Sequence, residues 1–302
     1  MSVGRAGGVQ GLLDGMPRRL YPCTPTRLLT WLDCPRRYRF SYLDRPAPPK
    51  GPAWAHTSLG TSVHSALASW WRLPLRERTP DRGAQLVRDG WVREGYRDDA
   101  QSTQVRERAS RWVRTYLADV DRAAEPVGVE RTVSTPTGGA LVLSGRVDRI
   151  DERPDGSVVV VDYKTGRRPP SDADARSSLA LAAYALAAAR TLRRPCGVVE
   201  LHHVPTGTVA AASHDPDGLA RKVAEAESIA REARAADEAY AAGATDDERF
   251  LPRPSAMCSW CDFRGVCPAG RMAAPPRRPW DAIGADGPPN EGGTGSGNGR
   301  RG

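Results

Sequence analysis

The N-terminal part of the chain has apolar residues at the spacing of amphipathic helices. The segment 24–43 predicts two short helices interrupted at Pro35, and the segment 58–71 predicts a third helix, with His64 near its start. Residues 81–124 are rich in charge and keep a helical spacing, which predicts a long helical region. This part of the chain is therefore expected to be helical.

Beyond residue 126 the pattern changes to that of β-strands. Residues 127–134 and 140–151 alternate or run apolar, and residues 157–163 form a β-branched run that is too short for a helix. A Pro-Asp-Gly sequence at 154–156 predicts the turn of a hairpin between the last two strands. A second hairpin is predicted over 197–214.

Two more helices and the chain ends complete the predicted organisation. Residues 175–193 are rich in Ala and Leu and predict a buried helix, whereas residues 215–242 predict an amphipathic one. We expect one α/β domain over residues 21–272, with a mixed central sheet flanked by helices. A flexible leader is expected at 1–20, and a disordered tail rich in Pro and Gly at 273–302.

Length, composition and charge narrow the class of protein. The 302 residues allow a large core, and the composition excludes a collagen, a coiled coil and a disulfide-rich mini-protein. No segment approaches the roughly 18 consecutive apolar residues of a membrane span, and we recognise no secretory signal, so we expect a cytoplasmic protein without a membrane partner. The net charge of +8 is compatible with nucleic-acid binding, although a high arginine content from codon usage would also produce it.

The end of the first predicted hairpin carries the strongest chemical signal. Asp162 and Lys164 follow four valines, and because strand side chains alternate, both are expected on one face while Tyr163 points away. If the hairpin brings Asp148 alongside Asp162, two carboxylates and an ammonium share one site. Carboxylate oxygens suit Mg²⁺ or Mn²⁺, and a nearby lysine can assist phosphodiester hydrolysis. A surface salt-bridge cluster is the alternative interpretation.

Four of the six cysteines have the arrangement of metal ligands. Cys258, Cys261 and Cys267 form a Cys-x2-Cys-x5-Cys sequence, and Cys34, far earlier in the chain, is the candidate for a fourth ligand. Four thiolates can hold zinc or a 4Fe–4S cluster. The spacing alone slightly favours zinc, and buried cysteines without a metal are the third possibility.

The string GRVDRIDERPDGSVVVVDYKTG resembles the PD-(D/E)XK nuclease superfamily, and within it the RecB-like nuclease domains and related CRISPR-adaptation nucleases. The resemblance extends over roughly residues 24–270. It implies a restriction-endonuclease-like fold and a metal-dependent deoxyribonuclease, which we expect to act as an exonuclease in DNA repair or recombination.

The same resemblance implies roles for individual residues. It assigns the Mg²⁺ or Mn²⁺ ligands to His64, Asp148, Asp162 and the backbone carbonyl of Tyr163, and the role of catalytic lysine to Lys164.

The helix after the lysine strand usually carries a Gln-x-x-x-Tyr motif in this family. Tyr184 matches its tyrosine and is a candidate catalytic-site residue, but Ala180 stands at the glutamine position.

For the cysteines, the resemblance favours iron over zinc. One cysteine in a CPRRY-like helix, followed by Cys-x2-Cys-x5-Cys after the nuclease core, is similar to the iron–sulfur cluster of AddB-type and CRISPR-associated members. Such a cluster would join the N- and C-terminal segments through Cys34, Cys258, Cys261 and Cys267.

Arginines near the predicted catalytic residues indicate the partner. Arg146, Arg149, Arg167 and Arg168 bracket the predicted site. They can form a groove that binds DNA through its phosphates, single-stranded or at an end, and a solvated basic face is the alternative interpretation. No Walker A motif is present in the sequence, so unwinding would need a separate helicase partner.

Two other functions stay open on the sequence alone. One is a non-catalytic DNA-binding scaffold subunit of a helicase–nuclease complex, which the alanine at position 180 favours. The other is a regulatory protein with a zinc knuckle and incidental carboxylates.

Overall fold

A computed structural model describes residues 20–138, 140–244 and 248–283. Apart from Leu20, the predicted leader lies outside the described residues. The same holds for the predicted tail from residue 284 onward.

The described residues form nine α-helices. They are α1 (Pro25–Asp33), α2 (Pro35–Tyr42), α3 (Ala55–Trp71), α4 (Pro80–Asp89), α5 (Asp99–Ala118), α6 (Asp172–Ser177), α7 (Leu179–Leu192), α8 (Pro216–Ala241) and α9 (Pro268–Ala273). Helix α1 starts where predicted, because the Thr24 side chain accepts the Arg27 N–H and Pro25 occupies the first turn. None of these helices combines the length and apolar character needed to cross a membrane.

Six strands form one mixed sheet. They are β1 (Tyr21–Cys23), β2 (Gly128–Pro136), β3 (Leu141–Glu152), β4 (Val158–Lys164), β5 (Val198–His203) and β6 (Thr208–Ser213). The order β3-β4-β5-β6 runs through the centre, with β4 and β5 parallel and the other two neighbouring pairs antiparallel. Strand β2 is antiparallel to β3, and β1 is parallel to the start of β3. The predicted mixed α/β sheet is confirmed.

Strand β4 is covered by helices on both faces. Val159 and Val161 pack in a core with α3 and α5, whereas Val158 and Val160 pack in a second core with α7. A strand buried on both faces needs a continuous apolar run, which explains the four valines. A third core joins β1, α1, α2 and α8. The two helical layers hold β4 firmly up to its polar end.

The predicted helical region 81–124 consists of two helices and is not continuous, because α4 ends at Asp89 and α5 starts at Asp99. Gly90 follows α4 as its C-cap, and the Asp98 side chain accepts the Gln101 N–H at the start of α5. Between them Gly95 has φ +86°, and a Cβ there would lie 2.5 Å from the backbone oxygen of Ala53. The break therefore depends on glycine.

The predicted tail is folded over its first part. The backbone N–H of Ala55 donates to the Pro279 oxygen, and Ile283 is buried in the core formed by α3 and α5. Trp280 packs against the same core. Disorder was expected from the Pro and Gly content, but these apolar residues anchor the segment, so the folded chain extends past residue 272 to at least Ile283.

Candidate active site

Strands β3 and β4 separate at the residues predicted to be catalytic. Their register ends with the pair Arg149–Val161. The next residue of β3, Asp148, uses its carboxylate to accept the backbone N–H of Tyr163, at 2.8 Å. On its other edge β4 stays paired with β5 as far as Lys164 and His203. The sheet therefore opens between β3 and β4, and we call this opening the fork; on the other side of β4 the pairing with β5 continues.

Asp162 and Lys164 lie together on one side of β4, as the alternation predicts. The Lys164 Nζ is 2.6 Å from the Asp162 Oδ2, and the exposed fractions of the two side chains are 47% and 21%. Burial raises the pKa of Asp162, and the Asp148 charge adds to this rise, whereas Lys164 and His64 oppose it. The Tyr163 side chain is buried on the opposite side, against α3 and α5.

Helix α3 presents His64 to the mouth of the fork. The His64 Nδ1 lies 3.2 Å from the Asp148 Oδ2. Burial tends to lower the pKa of His64, but the hydrogen bond to Asp148 and the charges of Asp148, Asp162 and Glu130 outweigh it and raise the pKa. The ring also meets the edge of Tyr163, with centroids 5.9 Å apart. His64 and Asp148, predicted as neighbours in one metal shell, are thus in contact.

Glu130 on β2 is a site residue that the sequence analysis missed. Ligand atoms of His64, Glu130 and Asp148 all lie within 4.8 Å of one another. The Asp162 carboxylate is not in this group. It lies against the Lys164 ammonium instead. An imidazole with two carboxylates is a donor set that fits a divalent cation such as Mn²⁺ or Mg²⁺.

A buried polar network supports Tyr163 from below. Arg149 is only 5% exposed, and its guanidinium donates to the Tyr163 hydroxyl at 2.9 Å and pairs with Asp151 at 2.9 Å. Its guanidinium carbon also lies 5.0 Å from the Trp71 ring centroid, within cation–π range. Arg149 was expected in the DNA groove, and this assignment is wrong because its side chain is buried against Tyr163 and Trp71.

The two histidines of β5 are also structural. His202 contacts the Tyr116 hydroxyl through Nδ1 and Glu200 through Nε2. The His203 Nε2 lies 2.7 Å from the Gly166 backbone oxygen. His203 therefore fastens the loop that leaves β4 after Lys164.

Two cavities flank the fork. One, of about 590 Å³, is lined by His64, Glu130, Asp148 and the arginines Arg72 and Arg146, among other residues. The other, of about 290 Å³, lies on the α6–α7 side and is lined by residues that include Asp162, Lys164, Arg168 and Ala180. Both cavities are lined by acidic residues and arginines. Such a lining suits the binding of a phosphate backbone near a cation.

Tyr184 on α7 packs closely against β3. A Cβ at Gly145 would lie 2.3 Å from the Tyr184 Cε1, so the ring uses the space that glycine leaves. Burial raises the pKa of Tyr184, and the charges of Asp162 and Asp148 raise it further. The negative charges of both carboxylates therefore act on the Tyr184 hydroxyl. Ala180, one turn earlier, lines the smaller cavity instead of filling it.

The four candidate cysteine ligands line a single cavity of about 90 Å³ between α2 and the C-terminal segment. Three of their sulfur atoms accept backbone N–H groups, those of Arg253, Ser255 and Gly270, at 3.4–3.5 Å. Burial raises the pKa of Cys261, while the Phe263 N–H and the Arg37 charge act against the rise. Among the described residues, only the His64 group brings three ligand atoms within 4.8 Å of one another, so no three of the four sulfur atoms are that close together.

Comparison with protein families gives a match over most of the chain. A family model described as the PD-(D/E)XK nuclease superfamily matches residues 22–268. A solved structure titled "Crystal structure of SSO0001" shares 14% identity, with 84% of this chain and 88% of that chain covered and a TM-score of 0.35. No curated protein matches the chain.

Proposed function

The chain belongs to the PD-(D/E)XK nuclease superfamily, whose members are generally metal-dependent nucleases, and we propose that it hydrolyses phosphodiester bonds of DNA with Mg²⁺ or Mn²⁺. The observation that carries this proposal is the fork between β3 and β4. There Asp148, Asp162, Lys164 and His64 converge beside two cavities lined with arginine.

The metal ligands in this proposal are His64, Asp148, Asp162 and the backbone carbonyl of Tyr163. The Tyr163 N–H points to Asp148, and because the N–H and C=O of one strand residue point to the same edge, its carbonyl also faces the fork. A bound cation would polarise the scissile phosphate and activate a water molecule. The protein's part is to hold these ligands in place through the Asp148 hydrogen bond and the buried Tyr163 ring.

Lys164 supplies a positive charge beside the scissile phosphate. Its ammonium is held 2.6 Å from Asp162 yet is about half exposed, so it can reach a substrate in the adjoining cavity. There it orients the attacking water and stabilises the charge that develops on phosphorus oxygens. The water forms the new P–O bond, and the P–O bond to the departing nucleotide breaks.

We expect exonuclease action on single-stranded or frayed DNA ends, as in RecB-like domains of repair and recombination. This part of the proposal rests on the resemblance of residues 145–166 and on the arginine-lined cavities. A helicase partner is proposed from the same resemblance, since unwinding of a duplex would have to be supplied to this nuclease domain.

A Lys164→Ala variant tests the proposed chemistry. Cleavage of linear single-stranded DNA should be lost, while DNA binding measured by fluorescence anisotropy should persist. A covalently closed single-stranded circle is the matched substrate, because an exonuclease leaves it intact. Undiminished cleavage by the variant would contradict the role of Lys164, and rapid cleavage of the circle would show an endonuclease.

The second candidate function is a non-catalytic DNA-binding scaffold. The specific observation in its favour is Ala180, which leaves open the cavity next to Asp162 and Lys164 where the family usually has glutamine. Folded protein that binds DNA and metal but never cleaves would support this function.

We also propose a 4Fe–4S cluster held by Cys34, Cys258, Cys261 and Cys267, which would join the N- and C-terminal segments. Its support is the shared cavity and the backbone N–H groups directed at sulfur, which stabilise thiolate charge. Zinc is the alternative ion. A tetrahedral zinc site with Zn–S bonds of about 2.3 Å would bring all four thiolates to about 3.8 Å from one another, whereas, among the residues that the structure describes, no three of the cysteine sulfur atoms all lie within 4.8 Å of one another.

Metal analysis of anaerobically purified protein decides between these ions. About four iron atoms per chain and a brown colour are expected. One zinc per chain and a colourless protein would contradict the cluster and leave the nuclease proposal unaffected.

A further inference from the structure

Glu130 lies where it can complete the shell of the active-site cation. In the register of β2 and β3, its neighbours Val129 and Arg131 pair with Arg149 and Val147, which places Glu130 directly across from Asp148. Residues directly opposite each other in a sheet have adjacent side chains on one face. Accordingly, the Glu130 and Asp148 carboxylates and the His64 ring share the 4.8 Å group.

The backbone of Glu130 is unusual for a strand. Its φ is +49°, in the left-handed region, and the Glu130–Asp148 pair is missing from the β2–β3 ladder although the pairs on both sides are formed. A residue with a side chain pays a steric cost in this region, and such residues concentrate at functional sites.

The charges around Glu130 show what holds it before a cation binds. Its side chain is 14% exposed and pairs with the Arg146 guanidinium at 2.7 Å, while Arg146 itself is 71% exposed. Both side chains line the 590 Å³ cavity together with His64 and Asp148. Arg146 therefore neutralises Glu130 from the solvent side, and its own exposed guanidinium can leave once a cation compensates the Glu130 carboxylate.

We propose that Glu130 is a ligand of the catalytic cation, and that Arg146 releases it on cation binding and turns to a phosphate of the DNA. The proposal rests on the proposed nuclease function and adds a carboxylate to the ligands that the resemblance implies. The paired N–H groups of an arginine guanidinium match the geometry of phosphate oxygens. A DNA phosphate in the same cavity would therefore be a suitable new partner for the released guanidinium.

Mn²⁺ binding to the full chain without DNA tests the ligand role, by calorimetry or by the loss of the free-ion EPR signal. Glu130→Gln should weaken Mn²⁺ binding about tenfold or more. Asp148→Asn is the reference for a ligand, and Glu152→Gln is the matched control, since Glu152 is also a strand glutamate 2.7 Å from an arginine, Arg194. The control should bind Mn²⁺ like the wild type.

The Glu130→Gly variant separates a ligand from a structural residue. Glycine adopts φ +49° without cost, so the melting temperature should be equal to or higher than that of the wild type, while Mn²⁺ binding is weakened as in Glu130→Gln. Wild-type Mn²⁺ affinity in both variants would overturn the ligand role.

The Arg146→Gln variant tests the exchange. It should keep or strengthen Mn²⁺ binding and weaken DNA binding measured in the presence of Mn²⁺. Equal loss of Mn²⁺ affinity in Arg146→Gln and Glu130→Gln would overturn the exchange. If Asp148→Asn weakens Mn²⁺ binding and Glu130→Gln does not, only this inference fails. If the wild type binds no Mn²⁺, the proposed function fails with it.

Discussion

Replacing Arg149 by methionine tests the buried support of the active-site strand. Methionine keeps much of the volume but removes the charge, so Asp151 loses its partner. The Tyr163 hydroxyl loses one of two donors and keeps the Trp71 indole N–H. Breaking a buried ion pair from one side costs about 3–5 kcal/mol. Asp151 is about one-third exposed and can be partly rehydrated, so we expect a loss of about 2–4 kcal/mol.

Urea unfolding followed by circular dichroism measures this loss. With an m-value of about 3 kcal/mol/M for a large domain, the midpoint should fall by about 1 M. The matched control is Arg234→Met, which removes an arginine from the exposed pair with Glu238 on α8 and should cost less than about 1 kcal/mol. Adding Asp151→Asn to Arg149→Met should recover part of the stability, because no carboxylate is then left unpaired.

The Arg149→Met variant also has a functional consequence. Tyr163 lies between Asp162 and Lys164, so a loosened ring should reduce cleavage by folded protein more than it reduces DNA binding. The reasoning is refuted if Arg149→Met and Arg234→Met shift the urea midpoint equally. In that case the buried network would contribute no more than a surface ion pair.

Three further predictions concern the site itself. The folded-state pKa of His64 is raised, so its pair with Asp148 stabilises the metal-free protein at pH values below the unfolded pKa of about 6.5. This contribution disappears as the pH rises through the folded-state pKa. The melting-temperature difference between the wild type and His64→Gln should therefore shrink with rising pH. Mn²⁺ affinity should change in the opposite direction, since a ligating imidazole is neutral. Gly145→Ala should displace the Tyr184 ring and lower the free energy of unfolding by about 1–3 kcal/mol. Gly138→Ala, where a Cβ meets nothing within 4 Å, should leave the stability unchanged. Equal melting temperatures of the two variants would refute the close packing of Tyr184. Ala180→Gln fills part of the cavity beside Lys164 and should raise the cleavage rate without changing the melting temperature by more than about 2 °C, and an unchanged rate would contradict a role for glutamine here.

The sequence predicts the central part of this site well because its local pattern is unambiguous. Four valines require a strand covered on both faces, and the alternation that follows puts Asp162 and Lys164 on one side of it. A Pro-Asp-Gly turn fixes the hairpin, so Asp148 comes opposite Asp162 without further information. Both features depend on residues close in sequence.

Glu130 could not be found in the same way. Its position across from Asp148 depends on the register of β2, which is set by the connection between β2 and β3 and by a left-handed residue within the strand. Arg149 was misplaced for a related reason, since its buried partners Trp71 and Tyr163 are distant from it in sequence and only the fold brings them together. The anchor of the C-terminal segment was missed because Ile283 is an isolated aliphatic residue in a segment rich in Pro and Gly.

We propose above all that the fork between β3 and β4 hydrolyses DNA with a divalent cation. The most direct test of this proposal is cleavage of end-labelled single-stranded DNA by anaerobically purified protein in Mg²⁺, Mn²⁺ or EDTA, beside the Asp162→Asn variant. We expect cleavage that requires the metal and is lost in the variant, with DNA binding retained in both. Folded protein that binds DNA and Mn²⁺ but cleaves nothing, or cleavage that persists in Asp162→Asn, would contradict it.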